Sequence, residues 1–509
     1  MLLSRDGALT ALDRRTGRER AVAGSGSALP GAVNRGGRSI VFTSTADDPV
    51  PDDTHGALDV FIDHRHRPPS PTGLTDRRPA SPQGEQLLYA STRIALATAL
   101  VAAAVALTGT PTSAAPRVPA TDRITVSATG EQGTDHAAGP YLSADGRYAA
   151  FASYAPNLVP GDTNGVEDAF VRDLRTGRLE RVSVATDGTQ ADRGTKPVAL
   201  SADGRYVVLV SSADTLTAWP EPKEDWAQDV YVHDRVTRRT ERISTTPTGA
   251  SSYAHGSAAI SDNGRYVAFN ARPKQMESGE SVILPTVYLT DRRTGAVERI
   301  TNRNHPELGS YHLDMSADGR HVVYEQNPPR GGAGAMVVHD RRTGAEEQVV
   351  VTPQGTPSES YGLDPSISAD GRYVAFTYRG DDLLPDGSAG NTETYVRDLR
   401  TDTTRGVVHD GIGGPAVIAG PEISRDGRYV AYGFRAPQGQ DNIHVRDLRT
   451  GASSLASASV TGGPVTDEDV YATSFGGAGG KLLGLGSGSG QLVTGDTNGV
   501  SDGFVRHLR

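Results

Sequence analysis

Ser143-Ala-Asp-Gly-Arg-Tyr148, running on into Ala149, Ala150 and Phe151, decides how the chain is read. It returns as Ser201–Tyr206, Ser261-Asp-Asn-Gly-Arg-Tyr266, Ser316–His321, Ser368–Tyr373 and Ser424-Arg-Asp-Gly-Arg-Tyr429, with a worn copy in Gly477-Ala-Gly-Gly-Lys-Leu482. The seven glycines, from Gly146 to Gly480, fall 52 to 60 residues apart. Such a period marks stacked supersecondary units that bury a core only against one another.

Each unit has four parts. A short strand ends at the serine, and an Asp-Gly turn follows whose glycine accepts positive φ. The Arg-Tyr-Val-Ala-Phe run is apolar on both alternating faces, which predicts a strand covered on both sides. A loop of variable length leads to a third strand (Asp168–Leu174, Asp229–Asp234, Thr286–Asp291, Ala335–Asp340, Glu393–Leu399, Asn442–Leu448, Asp502–Leu508), then a Thr-Gly turn in most copies and a polar outer strand. The seventh unit lacks its fourth strand, whereas Asp122-Arg-Ile-Thr-Val-Ser127 is an orphan of that type. Joining the two buries both edges. The expectation is an all-β fold over 121–509: a seven-bladed β-propeller of four-stranded blades closed by a three-plus-one clasp, with Ile124 and Val126 beside Gly503–Leu508.

The serine–Asp-Gly-Arg-Tyr repeat, the third strand ending in Arg-Asp-Leu and the Thr-Gly turn before a Glu-Arg-Val strand resemble the TolB-like, WD-repeat-like β-propeller family of bacteria. The resemblance covers about 390 residues and implies the fold. It leaves function open, because such propellers serve as binding platforms and as enzyme scaffolds alike. The sequence departs from TolB in showing no α/β domain ahead of the repeats, and from propeller-bearing serine peptidases in showing no α/β-hydrolase domain.

Ahead of the propeller, residues 1–66 read as an orphan fragment of about one and a half blades, and 67–92 as a Pro-, Ser- and Arg-rich linker. Arg93, the apolar run Ile94–Leu107 and the small residues to 115 have the pattern of a secretory signal peptide. The run is short for a membrane span, which needs about 20 residues. A signal in mid-chain is explained most simply by a gene model that joins the tail of a paralogue to the true start. A membrane protein with 1–92 on the cytoplasmic side is the alternative. The expectation is a secreted, monomeric protein with no stable membrane span in its mature form.

Net charge of −10 over 509 residues, without a basic run, argues against a nucleic-acid partner. With no cysteine there is no disulfide, thiolate metal site or cysteine nucleophile. Glycine at 60 residues and proline at 31 suit many short strands and turns.

Two sets of residues carry candidate chemistry. Asp162-Thr-Asn-Gly-Val-Glu-Asp168 and Asp496-Thr-Asn-Gly-Val-Ser-Asp502 place oxygen ligands (Asp162, Asn164, Asp168; Asp496, Asn498, Asp502) around a glycine, as a Ca²⁺ loop would. They lack the closing bidentate Glu, and an Asn-Gly turn with Asx caps is the simpler reading. No other cofactor is evident. The second set belongs to the loops between second and third strands and between blades, which share the irregular face where binding residues usually sit. Trp219 and Trp226 flank an acidic Pro-containing loop. Tyr253, His255, Tyr311, His312 and Tyr361 precede three successive innermost strands and are expected around the channel mouth, with His136 as a further member. Such residues stack on sugars or ligate metals through imidazole. The leading expectation is a non-catalytic binder of a protein, peptide or glycan. The alternative is a metal-assisted polysaccharide lyase or hydrolase, and a third reading is a structural subunit of an envelope assembly.

Overall fold

Serine at the end of the innermost strand and aspartate in the turn are there to satisfy backbone. In the computed structural model Ser143 Oγ donates to Asp145 Oδ1 at 2.6 Å and accepts from the Tyr148 N–H at 2.9 Å, while the Arg147 N–H donates to Asp145 Oδ1 at 2.9 Å. The same three bonds recur in the next copy, through Ser201, Asp203, Arg205 and Tyr206. All six motif serines are fully buried. The motif glycines from Gly146 to Gly427 have φ between 65° and 73°.

The structure describes residues 120–508 except 219–226, 248–251, 274–283, 302–308, 328–333, 359–361, 379, 381, 385–393, 408–413, 416–419 and 436–438; of residues 1–119 it describes the backbone of six strands. Two compact units divide the chain, Met1–Thr108 and Gly109–Arg509. In the first, Leu2–Arg5, Ala8–Leu12 and Glu19–Ala21 form one antiparallel sheet, and Leu29–Val33, Ser39–Ser44 and Asp59–His64 form another. The region read as a signal peptide lies outside the described residues.

The second unit is a seven-bladed β-propeller. Blade 1 is built from Ala137–Leu142, Tyr148–Ser153, Asp168–Asp173 and Leu179–Arg181, all antiparallel. The innermost strands of blades 2 to 5 and 7 are Thr195–Leu200, Ser252–Ile260, Gly309–Met315, Gly362–Ile367 and Val470–Gly476. That of blade 6 is split into Gly414–Pro415 and Glu422–Ile423, both paired with Tyr429–Arg435.

Each second strand shows why it had to be apolar on both faces. Val207 and Leu209 pack with Ala150, Ala169 and Val171 of blade 1, whereas Val208 and Val210 pack with Val267 and Phe269 of blade 3. Burying one such side chain contributes roughly 1.5–3 kcal/mol.

Blade 7 is closed by the N-terminal strand Thr121–Arg123, whose partners are Arg506, Val505 and Phe504. This is the three-plus-one clasp, with one difference from the register expected. The Ile124 N–H still reaches Gly503 O at 2.9 Å, and its side chain is buried against Phe151, Phe170 and Val505. Val126 has turned back to bridge Gln132, because the chain must bend there to enter blade 1.

The motif glycine has a second reason to be glycine. A Cβ on Gly204 would lie 2.4 Å from the Tyr148 ring, and one on Gly264 would lie 2.1 Å from the Tyr206 ring. Gly295, in an outer turn, has φ of 75° and no atom within 4 Å of a Cβ. Gly295→Ala should therefore cost only the left-handed penalty, roughly 1–2 kcal/mol. Gly264→Ala should cost about 1–3 kcal/mol more, from overpacking between blades. Chemical denaturation of the two variants checks this; equal costs would remove the interblade role assigned to the glycine.

Candidate functional site

The channel of a propeller is lined by innermost strands, and here none of them is regular. Register shifts fall between Ala138 and Tyr141, Pro197 and Ala199, Ala254 and Ala258, Tyr311 and Leu313, Leu363 and Ser366, and Ala472 and Ser474. A bulge re-aims the side chain it inserts. In this ring the inserted residues include Val198, Ser257, His312, Asp364 and Thr473, and all of them line one cavity of about 530 Å³.

The cavity wall is lopsided. Blades 4 to 6 present His312, Asp314, Asp364 and Glu422, while Tyr471 of blade 7 and Tyr141 of blade 1 supply phenols. Asp314 Oδ2 accepts the Ile367 N–H of the next blade at 2.9 Å. Ser366 Oγ does the same for Ile423 at 3.1 Å, and Ser474 Oγ for Leu142 at 2.8 Å. These channel residues thus tie blade to blade as well as facing the cavity. Asp364 stands at φ of 53°, a left-handed conformation rare outside glycine. Behind it Glu325 is buried in a second strand, where its Oε1 accepts the Asp364 N–H at 2.7 Å and lies 3.0 Å from His312 Nδ1.

Burial sets the protonation of this wall. It pushes Asp314 up to about 6, against the pull of the Ile367 and Met315 N–H groups and of Arg425. Glu422 is raised well above the usual carboxylate range, first by burial and then by the charge of Asp314. Both carboxyls face the cavity, so water in the channel tempers these shifts. Burial also raises Asp364, opposed by His312. His312 moves up because Glu325 accepts from its ring. Tyr141 is pushed up to about 12 by burial, with Glu422 adding to it.

The turn-face end of the channel is narrowed by backbone. Asp145 N donates to Ala202 O, Ala202 N to Asp262 O, Asp262 N to Ala317 O, Ala317 N to Ala369 O and Ala369 N to Arg425 O, at 2.8 to 3.0 Å. Arg425 of blade 6 then pairs with Asp262 of blade 3 across this end. Both residues stand where other copies of the motif have alanine (Ala144, Ala202, Ala317, Ala369).

Among the described residues expected at the mouth, the structure brings only His312 to the cavity. Tyr253 and Tyr311 lie within innermost strands, Tyr253 buried and Tyr311 half-buried, and neither lines the cavity. Trp219, Trp226, Tyr361 and the His255 side chain lie outside the described residues. His136 is bound at the blade 7–blade 1 seam, where its Nδ1 accepts the Ser501 N–H at 3.2 Å. Asp314, Glu325, Asp364, Glu422 and the Asp262–Arg425 pair were not anticipated, although the sequence holds a sign of some. Asp314 and Glu422 are the acidic residues found two places before the motif serine, and Glu325 is the charged residue found at the fifth place of a second strand.

Each Asp-Thr-Asn-Gly loop encloses a guanidinium. Arg181 Nη1 lies 3.2 Å from Asp162 Oδ1 and 3.3 Å from Asp168 Oδ2. Arg123 Nη1 lies 3.0 Å from Asp496 Oδ1 and 3.2 Å from Asp502 Oδ2. Asn164 and Asn498 donate to the carbonyls of Ala191 and Gly133.

Fold and site together define a seven-bladed β-propeller with an acidic channel narrowed at its turn face. The chain is similar to several solved structures. An oligogalacturonate lyase from Vibrio parahaemolyticus is 14% identical with a TM-score of 0.49, covering 77% of this chain and 96% of its own. An oligogalacturonate lyase in complex with manganese is 12% identical with a TM-score of 0.49, over 77% of this chain and 93% of its own. TolB from Acinetobacter baumannii is 16% identical with a TM-score of 0.37, over 67% and 84%. No family model matches the chain, and neither does any curated protein. Among the described residues no helix is long and apolar enough to cross a membrane.

Two outcomes follow from the charges. Because a guanidinium already faces both carboxylates of each loop, the chelator-stripped protein should melt at the same temperature with and without millimolar Ca²⁺; a rise on adding Ca²⁺ would show that the ion displaces the arginine. Asp314 carries a folded-state value of about 6 against about 3.9 unfolded. Its ionisation therefore favours the unfolded chain increasingly as pH rises from about 4 to 6. Asp314→Asn removes that loss, on the order of 1–2 kcal/mol once channel water is allowed for. Loss of the contact to the Met315 N–H adds an offset that does not vary with pH. The melting temperature of the variant minus that of the wild type should grow across this window; a flat difference would place the titration elsewhere.

Proposed function

We propose that this propeller is a secreted, non-catalytic binding protein that takes a polar group of a protein, peptide or neutral glycan into its channel from the irregular face. The observation that carries this reading is the cavity of about 530 Å³, lined by carboxyl, imidazole and phenol groups and narrowed at the opposite end by the backbone chain and the Asp262–Arg425 pair. Ligand sites are concave with a few convergent polar groups. The charge speaks against an acidic sugar as substrate. Among the described lining residues the cationic groups are already engaged, Arg425 by Asp262 and His312 by Glu325. A cationic or hydroxyl-bearing group meets acceptors instead. Secretion rests on the apolar run 94–107 with its arginine flank and small-residue exit.

A screen of the purified propeller against glycans and envelope proteins supplies the ligand. Ala199 lines the cavity and bears no polar contact of its own, so Ala199→Trp fills the channel without removing a recognition group. It should weaken binding by at least about tenfold, roughly 1.4 kcal/mol. Arg342→Ala, exposed in an outer turn, should leave affinity unchanged. Undiminished binding by Ala199→Trp would move the site out of the channel, and cleavage of an acidic oligosaccharide by the purified chain would replace this reading with the lyase one.

A further inference from the structure

We propose that His312, Glu325 and Asp364 form a binding site for a divalent first-row transition ion, with its free coordination positions open to the channel. Their ligand atoms, one imidazole nitrogen and two carboxylate oxygens, lie within 4.8 Å of one another. His312 Nδ1 is 3.0 Å from Glu325 Oε1 and 3.8 Å from Asp364 Oδ1. Ligands about 2.1 Å from a common ion are separated by roughly 3.0 Å at a right angle and roughly 3.4 Å at the tetrahedral angle. The two separations from His312 bracket those values. A small movement of Asp364, whose side chain is 43% exposed, closes the remainder.

Three features of the fold hold these ligands for an ion. His312 and Asp364 occupy the irregular positions of adjacent innermost strands, so both bulges aim at the same part of the cavity. Glu325 is held in place by the Asp364 N–H at 2.7 Å, the kind of outer bond that orients a metal ligand. Gly420 of the next blade leaves room for Asp364; a Cβ there would lie 2.3 Å from the Asp364 Cβ. Imidazole with two carboxylates suits Zn²⁺ or a neighbour in its row better than Ca²⁺, which takes oxygen ligands alone. Three protein ligands and open positions are the pattern of a site where water or a ligand atom completes the shell.

The test uses the chelator-stripped protein and Zn²⁺ alone, so its outcome is independent of whether a channel ligand is ever found. Calorimetry should show one equivalent of Zn²⁺ bound, accompanied by a rise in melting temperature. His312→Ala and Asp364→Asn should each weaken that equivalent by at least about tenfold, whereas Glu131→Gln, an exposed carboxylate elsewhere, should leave it unchanged. Asparagine tolerates the left-handed backbone of position 364, so Asp364→Asn decides the matter if His312→Ala fails to fold. Absence of a stoichiometric site at millimolar Zn²⁺, or an affinity indifferent to Asp364→Asn, overturns the proposal.

Discussion

The ring depends on one steric contact, the turn glycine of each of blades 2 to 6 lying on the aromatic ring of the blade before it. Gly204 sits on Tyr148, Gly264 on Tyr206, Gly319 on Tyr266, Gly371 on His321 and Gly427 on Tyr373. The ring so covered is also held by charge. Arg147 lies 4.8 Å from the centre of the Tyr148 ring, and Arg235 of the next blade lies 4.1 Å from the same centre. Arg147 is itself aligned by Asp173, whose carboxyl falls to about 2 because the guanidinium donates to it. Arg235 bonds the Gly204 carbonyl at 2.6 Å and Glu180 of blade 1. One cation–π contact at an exposed site is worth roughly 0.5–1 kcal/mol. Repeated between blades, it sets their spacing as well as adding stability.

At the seam this device is absent, and the clasp takes its place. Blade 7 has Leu482 where the other blades have tyrosine or histidine, and Lys481 where they have arginine. Gly146 rests on the backbone of Gly477, 2.7 Å from where its Cβ would stand, instead of on a ring. Closure comes from Thr121–Arg123 pairing with the C-terminal strand. It is reinforced where Arg123 reaches Asp496 and Asp502, and where His507 Nε2 meets Asp122 at 2.8 Å. Arg181 with Asp162 and Asp168 repeats the arrangement inside blade 1. The Asp-Thr-Asn-Gly loop is therefore understandable as the acidic half of an outer-strand anchor. Its two clear copies lie in adjacent blades, one of them at the seam.

The fold was legible because the peripheral constraint is periodic. Positive φ, the buried serine and the two-faced second strand recur at a spacing that sequence inspection detects without reference to tertiary structure. The channel was less legible, because its side chains are aimed by bulges, which displace a residue from the face its alternation implies. Their place before the motif puts Tyr253 and Tyr311 at the mouth; the strands extend back through them, and neither lines the cavity. His312, one residue on, falls in the bulge and faces the cavity. The residues that did carry a signal carried it as exceptions to the repeat. Asp262 and Arg425 replace the alanine of other turns, and they find each other across 163 positions of chain.

That observation bears on how such a ring acquires chemistry. Blade spacing is fixed by glycine, aromatic ring and arginine near the turns, and by the two-faced second strands. The innermost strand is left with fewer packing duties on its channel side. Its irregular positions tolerate valine in blade 2, histidine in blade 4, aspartate in blade 5 and threonine in blade 7. Neighbouring groups meet part of this charge: Glu325, on the second strand of the same blade as His312, accepts from the His312 ring and from the Asp364 N–H, and the Ile367 N–H of the next blade lies against Asp314. A buried charge costs several kcal/mol unless it is paired or hydrogen-bonded. Asp314, Asp364 and Glu422 on the channel side of blades 4 to 6, with Glu325 buried behind Asp364, are met by backbone donors only in part. The acidic groups gather on the wall of blades 4 to 6, with the phenols of Tyr471 and Tyr141 on the next two blades of the ring.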